Sequence, residues 1–308
     1  MRFALDSAAL LGLALILDAA LGEPRALWQR LPHPAVVMGR AVGALEHRLN
    51  RGAGRRARGT LALAILVVAA GLAGQALHVL PDGGALEILA VAVLVAQRSL
   101  ADHVGAVADA LRLSLGDGRL MVARIVGRDT ADMNEPQVAR AAIESAAENF
   151  SDGVVAPVFW YLLAGLPGIV VYKIVNTADS MIGHRTPRFE QFGWAAARFD
   201  DVMNWVPARL SAALIALAHG RGDLWPLVVR DAPLHRSPNA GWPEAAMAGV
   251  LGVALSGPRS YHGQRKDYPF VNAEGRHAIG AEAVDAACAA LWRSWAVLLA
   301  LCAVLFLV

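Results

Sequence analysis

Apolar residues in this chain come in long runs separated by short charged stretches, and run length sets the architecture. A helix that crosses a bilayer needs about 20 mostly apolar residues, whereas a run of about 10–14 is more often interfacial or re-entrant. Thr60–Leu80 and Ala289–Val308 meet the longer requirement, the latter with Trp292, Arg293 and Trp295 near its start as interface anchors. Ala85–Gln97 meets it by continuing past Arg98. Phe3–Leu21 is borderline: Asp6 and Asp18 interrupt it, and no small-x-small cleavage site follows, so it reads as a retained anchor. Gly153–Thr177 is long enough to cross, but Gly165-Leu166-Pro167-Gly168 sits at its middle. Proline removes a backbone donor and the glycines favour reversal, which predicts two short helices folded into a hairpin that returns to the side it left.

The polar stretches carry helix signals of their own. Val104, Val107, Leu111 and Leu115 fall at helical spacing and predict an amphipathic helix over His103–Leu115. Asn134-Glu135-Pro136 opens a helix that runs to about Phe150. Leu210–Leu217 continues an apolar helix begun near Val202, and Ala245–Leu255, too short to span, predicts a re-entrant or buried helix within the Gly-, Pro- and Ser-rich stretch His235–Gly263. The pattern predicts an all-α, polytopic integral membrane protein with amphipathic and re-entrant helices. It reads as one domain over 1–308, with polar site-forming segments at about 98–152, 177–205 and 220–285.

Composition agrees with that reading. The 308 residues are 56% hydrophobic and 18% charged, with a mean hydropathy of +0.44, against roughly 45–50% and 25% in soluble domains. A net charge of +2 leaves no basic footprint for nucleic acid. Cys288 and Cys302 fit neither a metal-binding spacing nor a disulfide framework. Arg25, Arg30, Arg40, Arg48, Arg51, Arg55, Arg56 and Arg58 crowd the first loop, whereas Pro81-Asp82-Gly83-Gly84 has no basic residue. The positive-inside rule therefore puts the first loop, and the segment from Arg98 to Asp152, in the cytoplasm.

Four polar clusters could carry chemistry. Arg140, Glu144 and Glu148 recur every four residues and share one helix face, with Asn149 and Asp152 just beyond. The plain alternative is a solvated face on which Arg140 pairs with the acids. The second cluster holds Lys173, Asn176, Asp179, Ser180 and Arg185. Lys173 is one of two lysines in the chain and stands inside an apolar run, where an ionisable group is costly; alternatively it snorkels and pairs with Asp179. Carboxylate and amide oxygens beside an ammonium suit Mg²⁺ and phosphate. The third cluster is Arg198, Asp200, Asp201 and Asn204, whose aspartates could instead serve a helix dipole. The fourth, His235-Arg236-Ser237-Pro238-Asn239-Ala240-Gly241-Trp242-Pro243-Glu244, is a turn-rich loop whose backbone N–H groups could cradle an anion.

These segments resemble the membrane-bound CobD/CbiB family. The resemblance is carried by Asn134–Pro157, Asn176–Gly183, Phe192–Asp201 and Ser237–Gly249, and by Leu21-Gly-Glu-Pro-Arg25, Leu31-Pro-His-Pro34 and Gly39-Arg40 near the start, in the expected order over nearly the whole chain. His184 departs from the pattern, standing where an aromatic residue is expected. The resemblance implies an adenosylcobinamide-phosphate synthase: an ATP-consuming ligase that joins aminopropanol, or its phosphate, to a propionate carboxylate of adenosylcobyric acid. It implies ATP and Mg²⁺ as cofactors, a multi-pass place in the cell (inner) membrane with the site facing the cytoplasm, and no nucleic-acid partner. A homo-oligomer or a complex with other cobalamin-pathway enzymes is compatible with it.

On that chemistry, carboxylate activation passes through an acyl phosphate, which needs metal and cations on the phosphates and little water. Asp179, Asp200 and Asp201 are then expected to hold Mg²⁺, supported by Asn176 and Asn204. Lys173, Arg185 and Arg198 would face phosphate, and Glu144 or Glu148 would free the attacking amine. The Ser237–Glu244 loop, with Asn239, would close on a phosphate; Asn149, Asp152 and Ser180 complete the substrate-binding set. No Walker-type P-loop is present. The rivals are a non-catalytic signalling or scaffold protein like AmpE, and a transporter, since broken helices and intramembrane charge also mark transport sites.

Overall fold

The computed structural model describes residues 2–261 and 263–307, so Val308, the end of the last expected span, lies outside the described residues. In chain order the first helices are α1 (Arg2–Leu21), α2 (Arg25–Trp28), α3 (Pro34–Leu49), α4 (Arg55–His78), α5 (Ala85–Leu94), α6 (Gln97–Leu113) and α7 (Leu115–Val122). Then come α8 (Glu135–Phe150), α9 (Ala156–Ile182), α10 (Trp194–Met203), α11 (Trp205–Ala218), α12 (Trp225–Asp231), α13 (Gly241–Leu251) and α14 (Ala281–Leu307). Between α13 and α14 lie short strands β1 (Leu255–Ser256), β2 (Arg259–Tyr261), β3 (Gln264–Lys266) and β4 (Phe270–Val271). They form two antiparallel ribbons, β1 with β4 and β2 with β3.

Among the described residues three helical stretches are long and apolar enough to cross a membrane: Arg55–His78, Glu135–Ile182 and Ala281–Phe306. On α4, Leu61, Ile65, Val68 and Leu72 form an exposed apolar stripe, while Ala62, Leu63, Leu66 and Ala70 are buried. A helix apolar on both its packed and its open face is suited to lipid. The protein is an all-α membrane protein.

The chain gathers into two compact units, each discontinuous in sequence. The first comprises residues 1–96, 156–204 and 302–308. Its core joins Val42, Ala62, Leu66, Ala70, Tyr172, Val175 and Ala178 of α3, α4 and α9. The predicted reversal in α9 is present. Ala164 and Gly165 leave helical geometry, with Gly165 at φ 62° and ψ −156°, a region open essentially to glycine. A Cβ built on Gly168 would lie 2.4 Å from the Trp160 carbonyl oxygen, eight residues earlier. A continuous helix would separate those positions by about 12 Å, so the chain doubles back.

The second unit comprises residues 97–155 and 205–301. At its centre is α8, buried almost all round from Val138 to Ala147. Its start is a capping box: Asn134 Oδ1 accepts from Gln137 N at 3.0 Å, and Gln137 Oε1 accepts from Asn134 N at 2.8 Å. A π-helical turn, Ser151–Val155, follows α8, and α6, α7 and α13 pack against it. The apolar run of α13 is a buried helix, as its length predicts.

Three boundaries differ from expectation. The helix from Ala85 stops at Leu94 and does not run past Arg98, because Val95 is extended (φ −92°, ψ 146°) and buried Gln97 opens a new helix. The helix predicted through His103–Leu115 ends at Leu113; Ser114 Oγ accepts from Asp117 N at 3.0 Å and caps α7 in its place. The helix expected to start near Val202 is two helices divided at Asn204, whose side chain is drawn to Asp200.

Candidate functional site

Each unit carries its own polar cluster. In the second unit the cluster is built on Glu144, in mid-α8 and 4% exposed. Glu144 Oε1 accepts from Ser256 N at 2.6 Å, and Oε2 accepts from Arg128 Nη2 at 2.8 Å and Arg259 Nη1 at 3.1 Å. Arg259 Nη2 bonds Ser256 Oγ at 2.6 Å, and its guanidinium lies 5.0 Å from the Tyr268 ring. The pairing of Arg140 with Glu144 along the helix face is not what forms: Arg140 Nη2 donates to the His277 carbonyl at 3.2 Å and its guanidinium stacks on Phe270. Glu148, one turn on, is exposed and accepts no hydrogen bond among the described residues. Asn149 Nδ2 folds back onto Ser145 O at 2.9 Å, and Asp152 is half-buried in the π-helical turn.

The loop after α12 supplies the other wall. His235 Nδ1 accepts from Ser237 N at 3.0 Å, which leaves the ring proton on Nε2, 3.7 Å from Glu244 Oε1. Burial, and then the charge of Arg259, holds His235 down at about 4, so the ring is neutral at ordinary pH. Glu244 is 2% exposed and its Oε2 has no partner. Burial first, then the charges of Glu144 and Glu148, raise it well above its ordinary value. Ser237 Oγ accepts from Asn239 N at 3.2 Å and Ala240 N at 3.3 Å. Asn239 Oδ1 accepts from Arg209 Nη1 at 3.3 Å, and that guanidinium sits between Trp205 and Trp242, 4.3 and 4.4 Å from their rings. A small cavity opens among Leu234, His235, Arg236, Ser256, Arg259 and Tyr268.

In the first unit the cluster joins the end of α9 to α10. Asp200 is buried, and both its oxygens accept amides: Oδ1 from Asn176 Nδ2 at 3.3 Å and Oδ2 from Asn204 Nδ2 at 3.0 Å. Asn204 Oδ1 in turn accepts from Tyr172 Oη at 2.9 Å. Asn204 therefore braces Asp200, its amide nitrogen on the carboxylate and its oxygen on Tyr172. Burial and then the charge of Asp179 push Asp200 up to about 7, against its two amide bonds. Asp201 is also raised by burial, with Arg198 and Arg185 pulling the other way; Arg198 Nη1 lies 3.5 Å from Asp201 Oδ2. Asp179 folds close over Gly183, Ser180 Oγ bonds the Asn176 carbonyl at 2.9 Å, and Arg185 is exposed. Lys173 is half-buried. Burial first lowers His33, Glu23 opposes it, and the charge of Lys173 lowers it further.

Among the described residues no three His, Cys, Asp or Glu side chains gather closely enough to cage a metal. Asp179, Asp200 and Asp201 are neighbours but not a closed ligand set. Their chemistry fits a hard cation that takes one or two carboxylates and keeps the rest of its shell from water and phosphate.

Several cluster members lay outside the sequence expectations. Arg128 and Tyr268 sit in loops, and Ser256 and Arg259 in two- and three-residue strands, where no periodicity marks them. Tyr172 reads as one more apolar residue of α9.

A CobD/Cbib protein family model matches residues 11–291. The chain is 50% identical over 301 residues to Cobalamin biosynthesis protein CobD of a Sinorhizobium species, covering 92% of this chain and 93% of that protein. It is 48% identical over 299 residues to the protein of the same name from Brucella suis (92% and 91% covered). To that of Rhodobacter capsulatus it is 47% identical over 275 residues (87% and 88%). No solved structure matches it. With a family model spanning most of its length and relatives at about half identity end to end, the chain belongs to the CobD/CbiB family.

Proposed function

We propose that the protein is a cobalamin-biosynthesis enzyme: an ATP-dependent ligase that forms the amide between aminopropanol, or its phosphate, and a propionate carboxylate of adenosylcobyric acid. The supporting observation is the near full-length match to proteins named for cobalamin biosynthesis. Each cluster, taken by itself, carries groups of the kind the reaction calls for. The carboxylate takes a phosphoryl group from ATP; the amine nitrogen then attacks the acyl carbon, the bond to phosphate breaks, and a base takes the N–H proton.

Glu144 is poorly suited to be that base, since three donors occupy its oxygens. Exposed Glu148 is the better one, and we assign the proton to it. Asp179, Asp200 and Asp201 would hold Mg²⁺, with Asn176 and Asn204 orienting Asp200. Bound there, the cation would offset phosphate charge. Lys173, Arg185 and Arg198 supply positive charge around that acidic set. Neutral His235, with the Ser237–Asn239 turn, offers hydrogen bonds without adding charge. The arginine-rich first loop supports a cytoplasmic face.

The test supplies purified protein with adenosylcobyric acid, aminopropanol phosphate and Mg-ATP, and looks for the amide by mass spectrometry. The product is expected with the wild type and lost with Asp179→Asn or Glu148→Gln. Absence of product from the wild type in several detergents would favour a non-catalytic scaffold of the AmpE kind. Cysteines placed at Ser180 and Ser237 in a cysteine-free background are expected to label only from the cytoplasm; labelling from the far side would defeat the ligase reading.

A further inference from the structure

The small cavity beside α8 has one apolar wall, Leu234, and polar groups around the rest. Arg236 and Arg259 supply guanidiniums, Ser256 and Tyr268 hydroxyls, and His235 a neutral ring; among the described residues no carboxylate lines it. Arg259 is held on three sides, by Glu144, by Ser256 Oγ and by the Tyr268 ring, so its position is fixed before any ligand arrives. Ser256 itself is fixed through its N–H to Glu144. Arg128 and Arg259 share the single carboxylate of Glu144, and Arg236 adds a third guanidinium at the cavity. Glu244, beside His235, is buried with an unpartnered Oε2.

We propose that this cavity is an anion subsite that takes a phosphoryl group on Arg236 and Arg259, with the Ser256 and Tyr268 hydroxyls and the His235 Nε2–H as further donors. Planar guanidiniums match phosphate oxygens in pairs. A neutral imidazole that donates only at Nε2 adds a hydrogen bond at no cost in charge. In this arrangement Glu144 is a positioning residue: it aims Arg259 and presents Ser256 without touching the ligand. The inference deepens the ligase reading and rests on it only for the phosphoryl group's origin, the nucleotide or a phosphorylated amine.

The test is calorimetric titration of the full chain in lipid nanodiscs with inorganic pyrophosphate as probe. Saturable binding is expected, weakened about tenfold or more by Arg236→Gln, whose exposed side chain makes the change safe for folding. Arg221→Gln, a surface change paired with Asp223, is expected to bind as the wild type does. Tyr268→Phe, which keeps the ring against Arg259, should weaken binding less than Arg236→Gln does. Displacement of pyrophosphate by a non-hydrolysable ATP analogue, but not by phosphoethanolamine, assigns the subsite to the nucleotide; the reverse assigns it to the amine donor. Unchanged affinity in Arg236→Gln, or no binding by the wild type, overturns the subsite. Amide formation with unaltered kinetics in Arg236→Gln would also overturn it while leaving the ligase reading intact. Pyrophosphate binding without any amide product would do the opposite.

Discussion

Arg259 reaches back 115 residues to donate its Nη1 to Glu144 Oε2 at 3.1 Å, and Arg128 donates to the same oxygen at 2.8 Å. Two guanidiniums and one carboxylate are thereby taken out of solvent together, their side chains 5–10% exposed. Such a group costs much desolvation and is a poor source of stability, but breaking it from one side is worse, because the remaining charges stay buried and unpaired. Glu144→Ala is expected to cost about 3–5 kcal/mol. Denaturant or thermal unfolding in detergent checks this, and a variant as stable as the wild type would mean the triad does not form.

Glu148 offers the opposite case. It follows Glu144 by one helical turn yet is exposed and makes no hydrogen bond among the described residues, so Glu148→Gln removes a charge without breaking a hydrogen-bonded buried pair. Its unfolding midpoint is expected to shift by no more than about 0.5 kcal/mol. Turnover should fall by about 10²–10⁴-fold, the usual worth of a positioned base. Single-turnover amide formation followed by mass spectrometry reads the second quantity. Equal turnover in the variant would remove Glu148 from the reaction.

The contrast between these two glutamates shows what was legible in the sequence. Spacing put both on one face of α8, correctly, but spacing cannot say that α8 is enclosed on nearly every side and that only the position near its C-terminal end opens outward. The partners that decide the matter, Arg128 and Arg259, stand in a loop and a three-residue strand, and a long-range ion pair leaves no local pattern. Where structure follows from local physics the reading held: the reversal at Gly165, the capped start at Asn134 and the buried α13 each come from a turn residue, a cap or a run length. The break at Asn204 was missed for the same reason as Arg259. Asn204 and Pro207 are boundary-type residues, but the apolar run continues across them, and the break also depends on side-chain bonds to Asp200 and Tyr172 that leave no local pattern.

Close backbone packing in the first unit gives a third test. A Cβ on Gly193 would lie 1.6 Å from the Ile182 carbonyl oxygen, a backbone atom that cannot swing aside, whereas one on Gly183 would first meet Asp179 Oδ1 at 1.9 Å, the tip of a side chain. Gly193→Ala should therefore damage folding, by about 1–3 kcal/mol or more. Gly183→Ala also crowds the Asp179 carbonyl at 2.7 Å, but its main effect is expected to be displacement of the Asp179 carboxylate, seen as a larger loss of turnover than of stability. Measuring both quantities for both variants separates the cases; identical ratios would show that Asp179 placement does not matter to turnover.

Asp200 fixes the pH dependence. Burial and the charge of Asp179 raise it from 3.8 to about 7, so the native protein keeps this proton to higher pH than the unfolded chain does. At this group the native state binds more protons across that interval, so Asp200's contribution to stability declines as pH rises from about 4 to about 7 and then levels off, while His235, held down at about 4, contributes the opposite slope in both wild type and variant. Asp200→Asn keeps the shape, cannot ionise, and is expected to flatten that decline, leaving the variant more stable than the wild type at pH 8 by a few kcal/mol at most. Mg²⁺ requires the ionised carboxylate, so it should raise the wild-type melting temperature at pH 8 more than at pH 5.5 and do less for the variant. Thermal melts over pH 4–8, with and without Mg²⁺, decide the matter. A variant whose stability tracks the wild-type pH curve would show that Asp200 is not the group being titrated, and an equal Mg²⁺ effect in both proteins would move the metal elsewhere.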